Sequence, residues 1–141
     1  MSTFTATRTV RFADCDPAGI VFYPQYLVML NDLVEQWFED GLGLRYEQII
    51  GERRLGLPTV RLEADFTAVS RHGDRLTLAI ELLHLGRSSL QTAARFSGED
   101  DVLRMRTRSV LVCTSLDTHR PVALPEDLRS AMLPFLTKET P

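Results

Sequence analysis

The 141-residue sequence lacks several features that would point to a common function. It has no run of about 20 apolar residues, the length needed to cross a bilayer, and its start lacks the apolar core of a secretory signal. Its two cysteines are too few for the disulfide framework of a small secreted domain. A formal net charge of −3 gives no electrostatic support for nucleic-acid binding. We therefore expect a cytoplasmic protein with a single domain that spans residues 1–141.

Motifs of several large enzyme classes are also missing. The sequence has no G-x-S-x-G, P-loop or Rossmann glycine pattern. Cys15 lies between Asp14 and Asp16, whose charges disfavour its thiolate, so we expect no covalent role for it. No metal site and no cofactor are expected, because the histidines stand apart from one another and from any cysteine pair: His72, His84 and His119.

The apolar pattern predicts one long helix after a first strand. Residues 4–12 alternate as a strand does. From Gln25 to Asp40, apolar residues recur at steps of one, three and four, and Pro24 suits the first turn of a helix. The predicted apolar stripe consists of Tyr26, Leu27, Leu30, Leu33, Val34, Trp37 and Phe38. This helix is long and apolar enough to be the centre of the fold.

Four strand-like runs follow the helix, at 58–69, 75–85, 88–97 and 102–115. Short helices are predicted at 45–52 and 125–136. A strand, a helix and then a meander of four strands indicate the α+β class and an antiparallel sheet. One helix on such a sheet leaves the sheet edges unpaired, so we expect dimerisation through an edge.

The stretch "DCDPAGIVFY" (14–23) places turn residues and two acids directly before the helix. Pro17 restricts the backbone of Asp16, and Gly19 permits a positive φ, so together they fix a carboxylate at the start of the helix. The sequence leaves open a purely structural interpretation, in which Asp14 and Asp16 accept backbone hydrogen bonds in a tight turn. We favour that interpretation for Asp14.

The start of the helix offers the second half of a reactive site. Since Pro24 has no N–H, the free amides there are expected to be those of Tyr23, Gln25 and Tyr26. Amides at a helix N-terminus suit developing negative charge. A carboxylate beside such donors fits acyl transfer, in which it attacks the acyl carbon or activates a water.

The segment "DCDPAGIVFYPQY" (14–26) resembles the signature of hotdog-fold acyl-CoA thioesterases of the 4-hydroxybenzoyl-CoA thioesterase type. The shared pattern is D-x-D-x-x-G followed by an apolar triplet and an aromatic residue. The resemblance implies a hotdog fold, in which an antiparallel sheet wraps one long central helix. It also implies a homodimer or homotetramer with active sites at a subunit interface.

The same resemblance implies roles for two residues of the signature. Asp16 corresponds to the family's catalytic aspartate, acting as nucleophile or general base. The backbone amide of Tyr23 corresponds to the group that polarises the thioester carbonyl. Relatives that act on short-chain acyl-CoA carry a histidine at this position, so Tyr23 favours the aryl-CoA branch.

The resemblance also indicates residues that bind the substrate, of which coenzyme A is a part. Asn31 falls where hydroxybenzoyl-specific members carry an aspartate that meets the ring hydroxyl. Benzoyl, substituted benzoyl and medium-chain acyl groups therefore remain open. For the phosphates of coenzyme A the candidates are Arg87 with Ser88 and Ser89, and Arg120. Ser89 replaces a lysine of the family, and the alternative for Arg87 is a solvated arginine at a turn.

Three functions are thus weighed, and hydrolysis of an aromatic acyl-CoA leads. A hydratase or dehydratase of acyl thioesters usually needs a histidine near the start of the helix, and residues 16–30 contain none. A non-catalytic ligand-binding subunit would leave the acid beside free helix amides without an evident packing role. The expected partners are a small-molecule acyl-CoA and further copies of the chain, with no nucleic acid and no membrane.

Overall fold

A computed structural model describes residues 3–137, which form an antiparallel sheet with one long helix packed against it. The α-helices are α1 (Tyr23–Gln36), α2 (Tyr46–Gly51) and α3 (Glu126–Met132). The strands are β1 (Thr3–Thr9), β2 (Leu55–Gly56), β3 (Thr59–Phe66), β4 (Arg75–Leu85), β5 (Ser89–Gly98), β6 (Leu103–Val112) and β7 (Thr114–Ser115). In the described part of the chain, no helix is both long and apolar enough to span a bilayer.

The large sheet has the strand order β1-β4-β5-β6-β3, and every neighbouring pair is antiparallel. The predicted meander of four strands is therefore right for β4 to β6 and wrong for β3. Strand β3 lies at the edge beside β6, because β1 occupies the place next to β4. The link from β3 to β4 instead pairs with the acidic turn, where Val21 N–H donates to the carbonyl of Ser70 at 2.9 Å.

Helix α1 places its apolar stripe on the sheet, as the periodicity predicts. It begins at Tyr23, so that Pro24 lies in its first turn as predicted, and it continues past Gln36 as one π-helical turn over Trp37–Gly41. Met29 is buried and was not part of the predicted stripe. The buried residues of this helical segment are Tyr26, Met29, Leu30, Leu33, Trp37 and Phe38. They meet alternate residues of the central strands, including Leu78, Ile80, Leu82, Leu90 and Phe96.

Candidate active site

The acidic stretch forms a tight hairpin directly before α1. The main-chain N–H of Asp16 donates to the carbonyl of Ile20 at 3.0 Å, and Gly19 N–H donates to the carbonyl of Asp16 at 2.9 Å. Gly19 has a φ of +78°, which confirms the predicted need for glycine. Cys15 pairs with Val21 across this hairpin. The turn therefore has a defined backbone that holds position 16 in one orientation.

The Asp16 side chain is half-buried, and its two carboxylate oxygens have different surroundings. Oδ1 accepts a hydrogen bond from the Ala18 N–H at 2.9 Å. Among residues 3–137, no donor reaches Oδ2. The interpretation that Asp16 only accepts backbone hydrogen bonds in the turn therefore accounts for Oδ1 but not for Oδ2. The lone pairs of the other oxygen therefore remain available for a reacting group.

The main-chain N–H of Tyr23, at the start of α1, is a second free polar group beside the hairpin, after Asp16 Oδ2. The neighbouring Phe22 N–H donates to the carbonyl of Asp14 at 2.9 Å, and Gln25 N–H donates to the carbonyl of Phe22 at 2.8 Å. The expectation that the Gln25 amide is free was therefore wrong, because its hydrogen bond to the residue three positions earlier tightens the first turn of the helix. Within the described residues, the Tyr23 N–H has no acceptor. Both free groups flank the same hairpin.

Asp14 has the structural role that the sequence favours for it. It is only 4% exposed, and its Oδ1 pairs with Arg8 Nη2 at 3.0 Å. Its Oδ2 accepts the Arg11 N–H at 2.9 Å. Burial raises the pKa of the Cys15 thiol, and the charges of Asp14 and Asp16 raise this pKa further. The predicted suppression of the Cys15 thiolate is therefore confirmed in direction.

A cavity of about 180 Å³ opens between α1 and strands β3, β5 and β6. Leu27 and Asn31 line it from the helix, and Leu62 lines it from β3. Since Leu27 follows Tyr23 by four residues, the cavity begins one helical turn beyond the free Tyr23 amide, on the same face. Asn31, which the sequence indicates as a substrate contact, therefore lines a cavity beside the middle of α1.

Two further lining residues, Thr92 and Ser109, were missed from the sequence. They are paired neighbours on β5 and β6, and both are buried. The signal was present in β6, where the helix-facing positions should be apolar. A hydroxyl-bearing residue occurs at two of those positions, Thr107 and Ser109.

The candidate residues for coenzyme A gather at the other end of the sheet. The Arg87–Ser89 turn joins β4 to β5, and the carbonyl of Arg87 accepts the Leu124 N–H at 2.9 Å. The carbonyl of Ser88 accepts the Cys113 N–H at 2.7 Å. Arg120 lies in the loop that follows β7, and its carbonyl accepts the Ser115 N–H at 2.9 Å. Both arginines are exposed, so their guanidinium groups are accessible to an anion.

Asp16 and Arg87 are separated by the full length of β4. The hairpin of Asp16 contacts residues 70–72, which precede β4, whereas Arg87 follows its last residue. A strand of 11 residues spans about 35 Å at its usual rise. Within one chain, Asp16 and Tyr23 therefore lie at one end of the sheet and the coenzyme A candidates at the other, and the cavity lined by Asn31 lies between them along α1.

Comparison with known proteins agrees with this architecture. A family model described as the thioesterase-like superfamily matches residues 10–132. The 1,4-dihydroxy-2-naphthoyl-CoA hydrolase of Synechocystis sp. is 30% identical over 133 residues, which cover 94% of this chain and 96% of that protein. The 4-hydroxybenzoyl-CoA thioesterase of Pseudomonas sp. (strain CBS-3) is 28% identical over 123 residues, covering 84% and 87% of the two chains.

A solved structure shows the same fold. A mutant of 4-hydroxybenzoyl CoA thioesterase, in complex with 4-hydroxybenzoyl CoA, superposes with a TM-score of 0.84 at 27% identity, covering 94% of this chain and 99% of that chain. The chain therefore belongs to the thioesterase-like superfamily. It has the hotdog fold, and it is a thioester hydrolase of the acyl-CoA thioesterase class. The resemblance inferred from residues 14–26 is confirmed.

Proposed function

We propose that this enzyme hydrolyses an aromatic acyl-CoA to the free acid and coenzyme A, with Asp16 and the Tyr23 amide as its reactive groups. The observation that carries the proposal is that Asp16 Oδ2 and the Tyr23 N–H, neither of which has a hydrogen-bond partner among residues 3–137, both belong to the segment formed by the hairpin and the start of α1. An apolar cavity one helical turn further along α1 supports an acyl site. The two relatives named above act on aromatic acyl groups, as their names state.

In this proposal the thioester carbonyl oxygen accepts the Tyr23 N–H at the N-terminus of α1. The partial positive charge of the helix end stabilises the oxyanion that develops there. Oδ2 of Asp16 then attacks the carbonyl carbon, which expels the coenzyme A thiolate and leaves a mixed anhydride that water hydrolyses. Alternatively, Asp16 takes a proton from a water that attacks the same carbon. Both routes end in a carboxylate and free coenzyme A.

The cavity supports an aromatic acyl group by its size and its walls. A cavity of about 150 Å³ is known to hold a benzene molecule. The cavity described here is slightly larger and is lined mainly by aliphatic and aromatic side chains. A flat ring fills such a slot with little loss of conformational freedom, whereas a flexible chain must be ordered to enter it. A short- or medium-chain acyl-CoA is the alternative substrate.

The acyl preference is tested with a panel of benzoyl-, 4-hydroxybenzoyl-, dihydroxynaphthoyl-, phenylacetyl- and hexanoyl-CoA. Release of free thiol is followed for each substrate. We expect kcat/KM for the best aromatic substrate to exceed that for hexanoyl-CoA by at least about tenfold, the effect of a well-filled apolar pocket. Equal or better hydrolysis of hexanoyl-CoA would contradict an aromatic specificity. Loss of water from a 3-hydroxyacyl-CoA without thiol release would favour a dehydratase.

We further propose that the complete site is shared between two copies of the chain. The edge strand β3 is exposed along nearly its whole length, and its outer edge is unpaired in the described chain. Val60, Leu62 and Phe66 on this strand are large apolar residues that are 61%, 40% and 45% exposed. The ring of Tyr23 packs edge-on against that of Phe66, so the apolar surface continues to the start of α1. Such an edge favours pairing with another strand.

Antiparallel pairing of β3 with a second β3 would bring the two separated groups together. The Asp16 hairpin lies at the end of the sheet where β3 finishes, and the Arg87 turn lies where β3 starts. A two-fold axis through the paired edges reverses one sheet relative to the other. The arginines of one copy would then face the hairpin of the other. A homodimer, or a homotetramer built from two dimers, follows from this arrangement.

Mixing two variants tests the shared site. Arg87→Ala alone should raise KM about tenfold and change kcat less, because a phosphate contact contributes equally to substrate and transition-state binding. Asp16→Asn alone should be nearly inactive. When the two variants are unfolded, mixed and refolded, hybrid dimers contain one site with both native residues. A low-KM activity should therefore reappear.

The matched control is Arg95→Ala, which removes an exposed arginine from the strand body rather than from the turn. This variant should leave KM unchanged. An unchanged KM in Arg87→Ala would place the phosphate contacts elsewhere. Absence of the low-KM activity from the mixture, with hybrid dimers present by mass analysis, would assign both groups to one chain.

A further inference from the structure

Ser70 is a buried polar residue that contacts both parts of the candidate active site. It is fully buried in the link between β3 and β4. Its main-chain carbonyl accepts the Val21 N–H of the hairpin at 2.9 Å, and its side-chain Oγ accepts the hydroxyl of Tyr26 in α1 at 2.7 Å. One residue therefore joins the hairpin that carries Asp16 to the helix that begins at Tyr23.

Phe22 connects the hairpin to α1 and gives the helix start no side-chain cap. The Phe22 N–H donates to the carbonyl of Asp14 at 2.9 Å, and the helix begins at the next residue. In the described part of the chain, no side chain caps the N-terminus of α1. Apolar packing holds α1 against the sheet but is not directional. The hydrogen bond between Tyr26 and Ser70 spans Phe22, and it supplies a directional contact between the hairpin side and the helix.

Arg104 fixes the segment that carries Ser70. Arg104 is 8% exposed, and its Nη1 donates to the carbonyl of Val69 at 2.7 Å. The same nitrogen donates to Asp74 Oδ2 at 3.2 Å, and Nη2 contacts the two carboxylate oxygens of Asp100 at 3.0 and 3.1 Å. Bidentate contacts of this kind define the position of a guanidinium. The segment 69–74 is therefore fastened to β6 where it meets the hairpin and α1.

The packing around Tyr26 does not require its hydroxyl. Tyr26 is 3% exposed, and its ring centroid lies 5.8 Å from that of Phe66 and 6.2 Å from that of Phe96. Burial raises the pKa of the Tyr26 phenol, so it stays protonated and donates to Ser70. Phenylalanine and alanine would fill the same space without a polar group, and such a paired replacement is nearly neutral for stability. The two hydroxyls therefore call for a role beyond stability.

We propose that Ser70 is a positioning residue that acts through Tyr26. Their hydrogen bond sets the direction of the Tyr23 N–H relative to the carboxylate of the hairpin. This inference rests on the proposed function, in which the thioester carbonyl accepts that N–H while Asp16 acts on the carbonyl carbon. Tyr26 follows Tyr23 by three residues, so both belong to the first turn of α1 and move together. A displacement of about 1 Å at a reacting group costs about a hundredfold in rate.

The test uses Ser70→Ala, Tyr26→Phe and the double variant that contains both changes. Each single variant leaves one buried hydroxyl unpaired, so its midpoint of thermal unfolding should fall by about 5 °C. The double variant leaves neither hydroxyl, and its midpoint should return to within about 2 °C of the wild type. In all three, kcat for the best acyl-CoA should fall at least about tenfold with KM changed less than about twofold, because the N–H acts on the oxyanion of the transition state. A stable double variant with kcat within about twofold of the wild type would overturn the inference.

Ile80→Val is the matched control for lost stability. Ile80 is 1% exposed in the middle of β4, where it pairs with Phe4 and Ala94 rather than with the hairpin or the segment 69–74. Removing one buried methyl group should lower the unfolding midpoint by about 3 °C and leave kcat within about twofold of the wild type. A loss of kcat as large as that in Ser70→Ala would show that reduced stability alone slows turnover, and it would overturn the positioning role.

A measurement without turnover separates this inference from the proposed function. Residual dipolar couplings of isotope-labelled protein give the direction of the Tyr23 N–H relative to the Ala18 N–H, which donates to Asp16. We expect this relative direction to change in Ser70→Ala and to stay the same in Ile80→Val. If it changes but the wild type hydrolyses no acyl-CoA, the proposed function fails and the control of the Tyr23 N–H by Ser70 stands. An unchanged direction in Ser70→Ala would overturn the inference even if acyl-CoA is hydrolysed.

Discussion

Replacing Asp16 with asparagine is expected to lower kcat by at least about a hundredfold, the typical loss when a catalytic base or nucleophile is removed. The substitution keeps the side-chain shape and retains an oxygen that accepts the Ala18 N–H at the position of Oδ1. It removes the negative charge and puts an amide nitrogen at the free position. The hairpin should therefore fold normally while the reacting group is lost. Thiol release with the best acyl-CoA of the panel measures the effect.

The control for this prediction is Asp40→Asn. Asp40 is exposed to solvent and lies in the π-helical turn at the other end of the long helical segment. Its replacement changes the net charge by the same amount and should leave kcat within about twofold. Both variants should unfold at the wild-type temperature. Near-normal turnover by Asp16→Asn would remove this carboxylate from the mechanism.

Replacing Asp14 with alanine is expected to lower the free energy of unfolding by about 3 kcal/mol, the low end for breaking a buried ion pair. The variant leaves Arg8 without its buried partner at 3.0 Å. It also leaves the Arg11 N–H without the acceptor that Asp14 Oδ2 provides. Denaturant unfolding monitored by circular dichroism gives the free-energy difference between the variant and the wild type.

Asp32→Ala is the matched control, because Asp32 contacts the same arginine from the surface. The distance from Arg8 Nη1 to Asp32 Oδ2 is 3.5 Å, and the Asp32 side chain is 58% exposed. Surface pairs of this kind contribute less than about 1 kcal/mol. An equally small effect for Asp14→Ala would show that the hairpin does not depend on the buried pair. The expected results would distinguish the two acids of the signature: Asp14 would contribute to stability, and Asp16 would contribute to turnover.

The sequence is most informative where local rules decide the structure. The positive φ of Gly19, the long helix after Pro24 and the two short helices follow from residue chemistry and apolar spacing, and all are present. The Tyr23 N–H was also predicted correctly to be free, because the first N–H groups of a helix have no acceptor within the helix. The Gln25 amide was assigned wrongly, because the tightening of the first helical turn depends on local geometry that composition does not specify.

The features that sequence reasoning missed depend on contacts between distant segments. Alternation in β3 identifies a strand, but it does not say whether β4 or β6 is its neighbour, since strand pairing is set by the whole sheet. The position of the Ser109 side chain in a cavity is apparent only once β5 and α1 pack beside β6. The separation of Asp16 from Arg87 likewise appears only when β4 is seen to lie between them.

The hydrogen bond from the Ala18 N–H to Asp16 Oδ1 has a consequence for the rate of reaction. A carboxylate held at one oxygen cannot spin freely about the bond that joins it to the β-carbon. Its second oxygen therefore presents its lone pairs in one direction before any substrate arrives. The rotational entropy that a mobile side chain would lose on the way to the transition state has already been lost when the turn folds.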